Sequence, residues 1–253
     1  ERKENRERIK EYPQRIANKI PEKLSFLGAV KHFRRVVGSV LAGQPILLDG
    51  PAGVGKTTLL YTVSTVLNKP LFIVNGSGDS SKDAIVGEIT TIEKGLLGPK
   101  DGPMTEAAVY GGIFYFDEIN MSEADVNAVL NPFTDDQRQF YNDARGEDVK
   151  LHPKASFVAA MNADYIGVKE VNEALLDRMV VEKVNYLGRA DLKKLIRKIQ
   201  EKNESNHVAE LSEVDIEKIA SVYAAIIAEV SETDNLPKHA ASVRNVVEMV
   251  RLV

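Results

Sequence analysis

Eight consecutive residues follow the pattern G-x-x-x-x-G-K-[ST] of a phosphate-binding loop: Gly50, Pro51, Ala52, Gly53, Val54, Gly55, Lys56 and Thr57. The glycines allow the backbone to curl so that its N–H groups can point at a phosphate. Lys56 would bring a positive charge to the β- and γ-phosphate oxygens, and Thr57 would offer a hydroxyl to Mg²⁺. The helix expected through Thr58 adds its positive dipole end. These residues predict a site for a nucleotide and a magnesium ion.

Two carboxylates, Asp117 and Glu118, follow a short apolar run at residues 113–116. Such a run is typical of a buried strand, which would deliver both acids to the carboxyl edge of a sheet, where open α/β sheets bind ligands. Asp117 would hold Mg²⁺ through water, and Glu118 would polarise the attacking water of a phosphoryl transfer. That reaction needs one carboxylate at the metal ion and a second carboxylate at the attacking water.

A second apolar run, residues 157–161, ends in the amide Asn162. An Asn at this edge can hold the attacking water or a γ-phosphate oxygen. Taken alone, an Asn after a strand is most often a turn residue. Its position after the phosphate-binding loop and the acidic pair favours a functional role.

Strand-like and helical segments alternate between these motifs. Strands are expected at residues 45–49, 71–75, 112–117, 156–161 and 180–185, and helices starting near Lys56, Thr105, Glu123 and Asn172. This alternation predicts an α/β domain over residues 24–187 with a parallel sheet covered on both faces. Helical stretches at 190–205, 212–231 and 240–252 predict a small all-helical domain over 188–253. Residues 1–23, rich in Glu, Lys and Arg, are expected to form a solvated helix or arm.

The composition narrows the class of protein. The 253 residues carry a net charge of −4, which disfavours a nucleic-acid binder driven by overall charge. Because the chain has no cysteine, disulfides and thiolate metal sites are excluded. The four histidines show no metal-ligand spacing, and no apolar run reaches the roughly 18 residues that a membrane-spanning helix needs. We expect a cytoplasmic protein without membrane insertion.

In this order, the motifs resemble those of the AAA+ ATPases and, more narrowly, of the MoxR group with its CbbQ, NorQ and GvpN types. Residues 116–120, Phe-Asp-Glu-Ile-Asn, match the extended acidic motif of that group, and residues 174–178, Ala-Leu-Leu-Asp-Arg, match its A-L-L-D-R-F run. Residues 98–107 resemble its G-P-L-T-E-A stretch after an insertion in helix 2, and residues 151–162 resemble its approach to sensor 1. The resemblance covers residues 25–252.

The resemblance implies a P-loop core with a five-stranded parallel sheet in the order 5-1-4-3-2, followed by a helical lid. It implies ATP and Mg²⁺ as cofactors and a ring of identical subunits, commonly a hexamer, that remodels a client protein, often with a partner carrying a von Willebrand A domain. Position by position, it gives nucleotide and Mg²⁺ binding to Lys56 and Thr57, the metal to Asp117, catalysis to Glu118, sensor 1 to Asn162, the arginine finger to Arg178 and sensor 2 to Arg244.

Some residues depart from the group's pattern. Met121 stands where Arg is usual, Met179 where Phe is common, and Val243 where Pro begins the lid helix. The segment 89–101, with Leu96 and Leu97, is expected to be a hairpin that projects from the sheet domain. In a ring, such a hairpin can line the pore and grip a client.

Three other functions remain open from the sequence. A nucleotide-gated assembly module with little turnover would need neither Glu118 nor Arg178. A nucleic-acid motor or an McrB-like GTPase is disfavoured by the acidity and by the lack of an aromatic and basic stripe. A small-molecule kinase would not account for Asn162, Arg178 and a helical lid together. The choice between ATP and GTP is open, as is the number of subunits.

Overall fold

A computed structural model describes residues 12–21, 30–76, 81–91, 95–162, 171–203 and 211–232, together with residues 242, 243 and 246. Within these ranges, the alternating segments of the sequence form strands and helices. The strands, in chain order, are β1 (Ile46–Asp49), β2 (Leu71–Asn75), β3 (Gly87–Thr91), β4 (Leu97–Asp101), β5 (Ile113–Asp117), β6 (Gln139–Asn142), β7 (Glu147–Lys150), β8 (Ser156–Met161) and β9 (Val180–Lys183). The helices are α1 (Gln14–Ala17), α2 (Val30–Ala42), α3 (Lys56–Leu67), α4 (Lys82–Val86), α5 (Pro103–Tyr110), α6 (Ala124–Val129), α7 (Glu173–Leu176), α8 (Arg189–Asn203) and α9 (Glu213–Glu232).

The central sheet has five strands in the order β2-β5-β8-β1-β9, and all its neighbours are parallel. This confirms the predicted fold, because these strands are the five expected from the sequence, in the expected order. Parallel neighbours place every carboxyl end at one edge, which we call the carboxyl edge. The opposite edge is the amino edge. The connections that follow β1, β5 and β8 therefore meet at the carboxyl edge.

Successive residues of the strands pack into two separate cores, one on each face of the sheet. Leu47, Phe114 and Phe157 belong to one core, and the rings of Phe114 and Phe157 stack with centroids 5.7 Å apart. Ile46 and Tyr115 belong to the other core, under α2 and α3. Burial of both faces explains why these strands read as continuous apolar runs rather than as alternating ones.

Two antiparallel hairpins lie outside the central sheet. Hairpin A consists of β3 and β4 and confirms the hairpin expected near residues 89–101, although it begins earlier, at Gly87, and residues 92–94 lie outside the described part. Its Leu96 and Leu97 are 64% and 74% exposed. Hairpin B consists of β6 and β7 and was not expected, because its strands are polar and too short for a clear alternating pattern.

Residues 12–21 pack against the α/β domain, whereas the sequence led us to expect a solvated arm over residues 1–23. Ile16 is fully buried in the core on the α5 face, and the carbonyl of Lys19 accepts a hydrogen bond from the N–H of Leu71 at 3.1 Å, on the edge strand β2. Arg15 pairs with Glu106 on α5. Ile16 and these polar contacts anchor a charged stretch; the rest of the expected arm lies outside the described residues.

The two C-terminal helices pack together around a core of their own, which contains Leu192, Ile196, Ile216, Ala220 and Tyr223. Val246 joins this cluster from the third helical stretch, which the structure describes only at residues 242, 243 and 246. A helical C-terminal region is therefore present, as expected. Among the helices that the structure describes, none is both long and apolar enough to cross a membrane.

Replacing Ile16 with alanine should lower the free energy of unfolding by about 2–5 kcal/mol, because the change leaves a cavity in a packed core. The matched control is Ile89→Ala on hairpin A, where the side chain is 63% exposed and the loss should stay within about 0.5 kcal/mol. Guanidinium titration followed by circular dichroism measures both. Equal losses for the two variants would show that residues 12–21 are not part of the folded core.

Candidate functional site

The phosphate-binding loop connects β1 to α3 at the carboxyl edge. Gly50 passes so close to the segment that follows β9 that a Cβ on Gly50 would lie 2.0 Å from the carbonyl oxygen of Val184. Gly55 stands immediately before α3 with a φ of +96°, in the left-handed region that favours glycine. Within the loop, Val54 is buried, whereas Ala52 is exposed. The glycines of the motif thus meet two different demands, close approach and an unusual backbone angle.

Lys56 begins α3 and turns its ammonium back over the loop. Its Nζ donates hydrogen bonds to the carbonyl oxygens of Gly50 at 2.6 Å and Pro51 at 3.0 Å. Burial lowers the pKa of Lys56, and the negative charges of Asp117, Asp49 and Glu118 oppose this shift. A phosphate at this loop could take the place of the two carbonyl acceptors and give the ammonium a charged partner.

Thr57 and Asp117 meet although they are 60 residues apart in the sequence. The Thr57 hydroxyl donates a hydrogen bond of 3.0 Å to Oδ2 of Asp117, at the end of β5. A hydroxyl and a carboxylate oxygen are hard ligands of the type that Mg²⁺ prefers. In the described part of the chain no three His, Cys, Asp or Glu residues cluster as a metal site. The pair fits Mg²⁺ whose other ligands are phosphate and water oxygens.

Tyr115 is a site residue that the sequence analysis missed. It lies on β5 two residues before Asp117, and its fully buried hydroxyl is 3.5 Å from Oγ1 of Thr57. Burial raises the pKa of Tyr115, as does the nearby negative charge of Asp117. A signal was available, because side chains two apart on a strand share a face and a buried Tyr hydroxyl normally needs a partner.

Glu118 and Asn162 both lie at the carboxyl edge, as expected. Glu118 is exposed and has a φ of +54°, a left-handed value that is uncommon outside glycine. The carbonyl of Asn162 accepts a 2.9 Å hydrogen bond from the side-chain amide of Asn120, which follows Glu118 closely in the chain. The backbone of Met161, just before Asn162, accepts from the N–H of Gly50 at 3.3 Å. The structure therefore brings the loop, the acidic pair and Asn162 to one edge.

Of the two arginines predicted to act in the site, the structure describes only Arg178. Arg178 is exposed and lies just before β9, at the amino edge, where the N–H of Val180 donates to the carbonyl of Pro45 at 2.9 Å. It is therefore separated from its own phosphate-binding loop by the length of the strands. Arg244 lies outside the described residues. Its neighbour Ser242 is buried against the loop, since a Cβ on Gly53 would come 2.0 Å from the Ser242 hydroxyl oxygen.

A comparison with known protein families identifies one that shares these motifs. Residues 45–179, which contain the loop, the acidic pair, Asn162 and Arg178, match the model of the AAA domain, dynein-related subfamily. The chain belongs to this AAA family. Membership in it, together with the P-loop fold, supports an ATP-driven activity.

Two uncharacterized staphylococcal proteins are similar to about two thirds of this chain. An uncharacterized protein of Staphylococcus epidermidis is 37% identical over 176 residues, covering 66% of this chain and 66% of that protein. An uncharacterized protein of Staphylococcus aureus is 36% identical over 182 residues, covering 67% of this chain and 69% of the relative. The chain thus spans just under two thirds of the Staphylococcus epidermidis protein.

Solved structures share the fold at low sequence identity. NtrX from Brucella abortus in complex with ATP superposes with a TM-score of 0.59 at 19% identity, covering 90% of this chain and 51% of that chain. A candidate ATPase from Cytophaga hutchinsonii gives 0.59 at 20% identity, covering 87% and 62%. These similarities show that the strands and helices are arranged in the same fold.

Replacing Tyr115 with phenylalanine should weaken nucleotide binding only when Mg²⁺ is present, because the hydroxyl lost lies beside the two oxygen groups that fit the ion. We expect a loss of about 2- to 10-fold in affinity, the value of one ordinary hydrogen bond. Titration of a fluorescent ATP analogue, with Mg²⁺ and with EDTA, measures it. The control is Tyr61→Phe on the partly exposed side of α3. An equal loss in EDTA would assign Tyr115 to packing alone.

Proposed function

We propose that this chain is a subunit of a ring-forming AAA+ motor of the MoxR type, which hydrolyses ATP with Mg²⁺ and uses the energy to remodel a client protein. The observation that carries the proposal is the division of the expected catalytic groups between the two edges of one sheet. Lys56, Thr57, Asp117 and Glu118 lie at the carboxyl edge, whereas Arg178 is exposed near the amino edge. A site divided in this way is completed only by a second copy.

The residues at the carboxyl edge have complementary roles in this proposal. The loop from Gly50 to Gly55 and the ammonium of Lys56 bind the phosphates, and Thr57 and Asp117 hold the metal. Mg²⁺ offsets negative charge on the β- and γ-phosphates when bound. Glu118 aligns and polarises the attacking water, and the side chain of Asn162 orients the water or a γ-phosphate oxygen. Tyr115 positions the pair that holds the metal.

The arginine is provided by a neighbour in this proposal. β1 has four residues, so the amino edge lies about 13 Å from the start of the loop, beyond the reach of an arginine that begins there. A head-to-tail interface repeated around a ring would bring the amino edge of one subunit to the carboxyl edge of the next. The lid, through Ser242 and Arg244, would report the state of the nucleotide.

Hairpin A supports the client-remodelling part of the proposal. Ile89, Leu96 and Leu97 expose apolar side chains on a hairpin that stands outside the sheet. Apolar groups held in water on a projecting element are typical of a protein-binding surface. We assign these residues to gripping a client protein, and a partner with a von Willebrand A domain would deliver it.

Specific ATPase activity should rise with protein concentration and reach a plateau, because the neighbour that completes each site is then present. Turnover by a coupled phosphate assay, together with the mass measured by light scattering at each concentration, tests this. Activity per subunit that stays constant down to concentrations at which the protein is monomeric would contradict the shared site.

Two inactive variants should restore each other's activity when mixed. Glu118→Gln should lower turnover by about 10²–10⁴-fold, and Arg178→Ala by about 10³–10⁵-fold. In an equimolar mixture, about a quarter of head-to-tail interfaces would join an intact Glu118 to an intact Arg178. The control is Arg197→Ala on α8, an exposed arginine paired with Glu213, which should keep normal turnover. A mixture as inactive as its components would rule out Arg178 acting on a neighbour.

A further inference from the structure

Hairpin B lies against the base of hairpin A, and an ion pair joins them. Arg145, in the turn between β6 and β7, donates from Nε to Oδ1 of Asp101 at 2.7 Å and from Nη2 to Oδ2 at 2.6 Å. Asp101 is the last residue of β4. Both side chains are partly buried, with 26% and 16% of their surfaces exposed. A two-fold charged contact that is partly shielded from water fixes direction as well as distance, which a single exposed contact does not.

A buried amide makes a second connection between the same elements. Asn142, at the end of β6, is fully buried, and its Nδ2 donates to the hydroxyl of Thr105 on α5 at 3.1 Å. The Thr105 hydroxyl donates in turn to the carbonyl of Val86, just before β3, at 2.5 Å. The N–H of Arg145 donates to the side-chain oxygen of Asn142 at 3.1 Å. The turn of hairpin B therefore holds hairpin A at the start of its first strand and at the end of its second.

In the described part of the chain, each hairpin forms a sheet of only two strands. Isolated two-stranded hairpins are marginally stable in water, so the contacts between the two contribute to the order of both. They share α5 as a base, because α5 carries Thr105 and begins two residues after Asp101. This helix also packs against β2 and β5, and β5 ends in Asp117. The hairpins are thus attached to the strand that provides the acidic pair.

We propose that hairpins A and B form one rigid unit, that Arg145 is the positioning residue that sets their mutual geometry, and that the apolar residues of hairpin A and the exposed Tyr141 of hairpin B move together. Only the assignment of this unit to client contact rests on the proposed function. A displacement of α5 that follows the state of the nucleotide would carry both hairpins, because hairpin A continues into that helix through Gly102 and hairpin B is bonded to its Thr105.

The absence of cysteine from the chain makes the unit accessible to spin labelling without prior changes. Label pairs at Thr91→Cys and Asp148→Cys measure hairpin A against hairpin B. Pairs at Thr91→Cys and Lys183→Cys measure hairpin A against the edge strand β9. All three positions are exposed. Distance distributions are recorded by pulsed electron paramagnetic resonance without nucleotide, with Mg–ADP and with a non-hydrolysable ATP analogue.

We expect one narrow distance between residues 91 and 148 in all three states. Arg145→Ala should replace it with a broad distribution, and Arg145→Lys should broaden it partly, because lysine keeps the charge but not the two-fold contact. The exchange Asp101→Arg with Arg145→Asp should narrow it again. The control Lys100→Ala removes an exposed ion pair with Glu88 within hairpin A and should leave the distance unchanged.

Two results would overturn the proposal: an Arg145→Ala distribution as narrow as that of the parent, or a 91–148 distance that changes when nucleotide is bound. These distances require neither hydrolysis nor a client. Failure of the proposed function would appear instead in the activity of the mixed Glu118→Gln and Arg178→Ala subunits, so the two failures are distinguishable.

Discussion

The position of β1 next to β8, with β8 next to β5, is the constraint on which the site depends. In this order, Asp49 pairs with Met161 in register, and Phe116 pairs with Ala159. The three connections that leave these strands must therefore share one edge. The hydrogen bond between Thr57 and Asp117 is a direct consequence, because no local feature of the chain could join residues so far apart. A strand order that placed β1 and β5 further apart would separate the phosphate-binding loop from the carboxylate.

The same sheet explains why one subunit is incomplete on its own in the proposed mechanism. Parallel strands all point the same way, so groups that precede a strand and groups that follow it lie at opposite edges. Arg178 precedes β9, whereas Glu118 and Asn162 follow β5 and β8. The buried strands β1, β5 and β8 keep the edges apart, because packed cores cover both of their faces. Assembly of copies is the simplest way to join the two edges.

Helix α5 connects the site to the rest of the molecule. It packs against β2 and β5, its Glu106 pairs with Arg15 of the N-terminal segment, and its Thr105 bonds to the bases of both hairpins. The helix is short, and two neighbouring side chains, Thr105 and Glu106, make these attachments. A small change of its angle would therefore be felt at the N-terminal segment and at the hairpins together.

The sequence by itself determined the motifs and the five strands, because glycine spacing and long apolar runs are local properties that a loop or a strand requires. The order of the strands followed from the family resemblance. The sequence also indicated hairpin A. It gave no sign of hairpin B, since the Arg145–Asp101 contact that holds it joins residues 44 positions apart. The burial of Ile16 and the meeting of Tyr115 with Thr57 were likewise decided by the tertiary structure. Each depends on which distant segments pack side by side, and that follows from the packing of the whole chain rather than from any one segment.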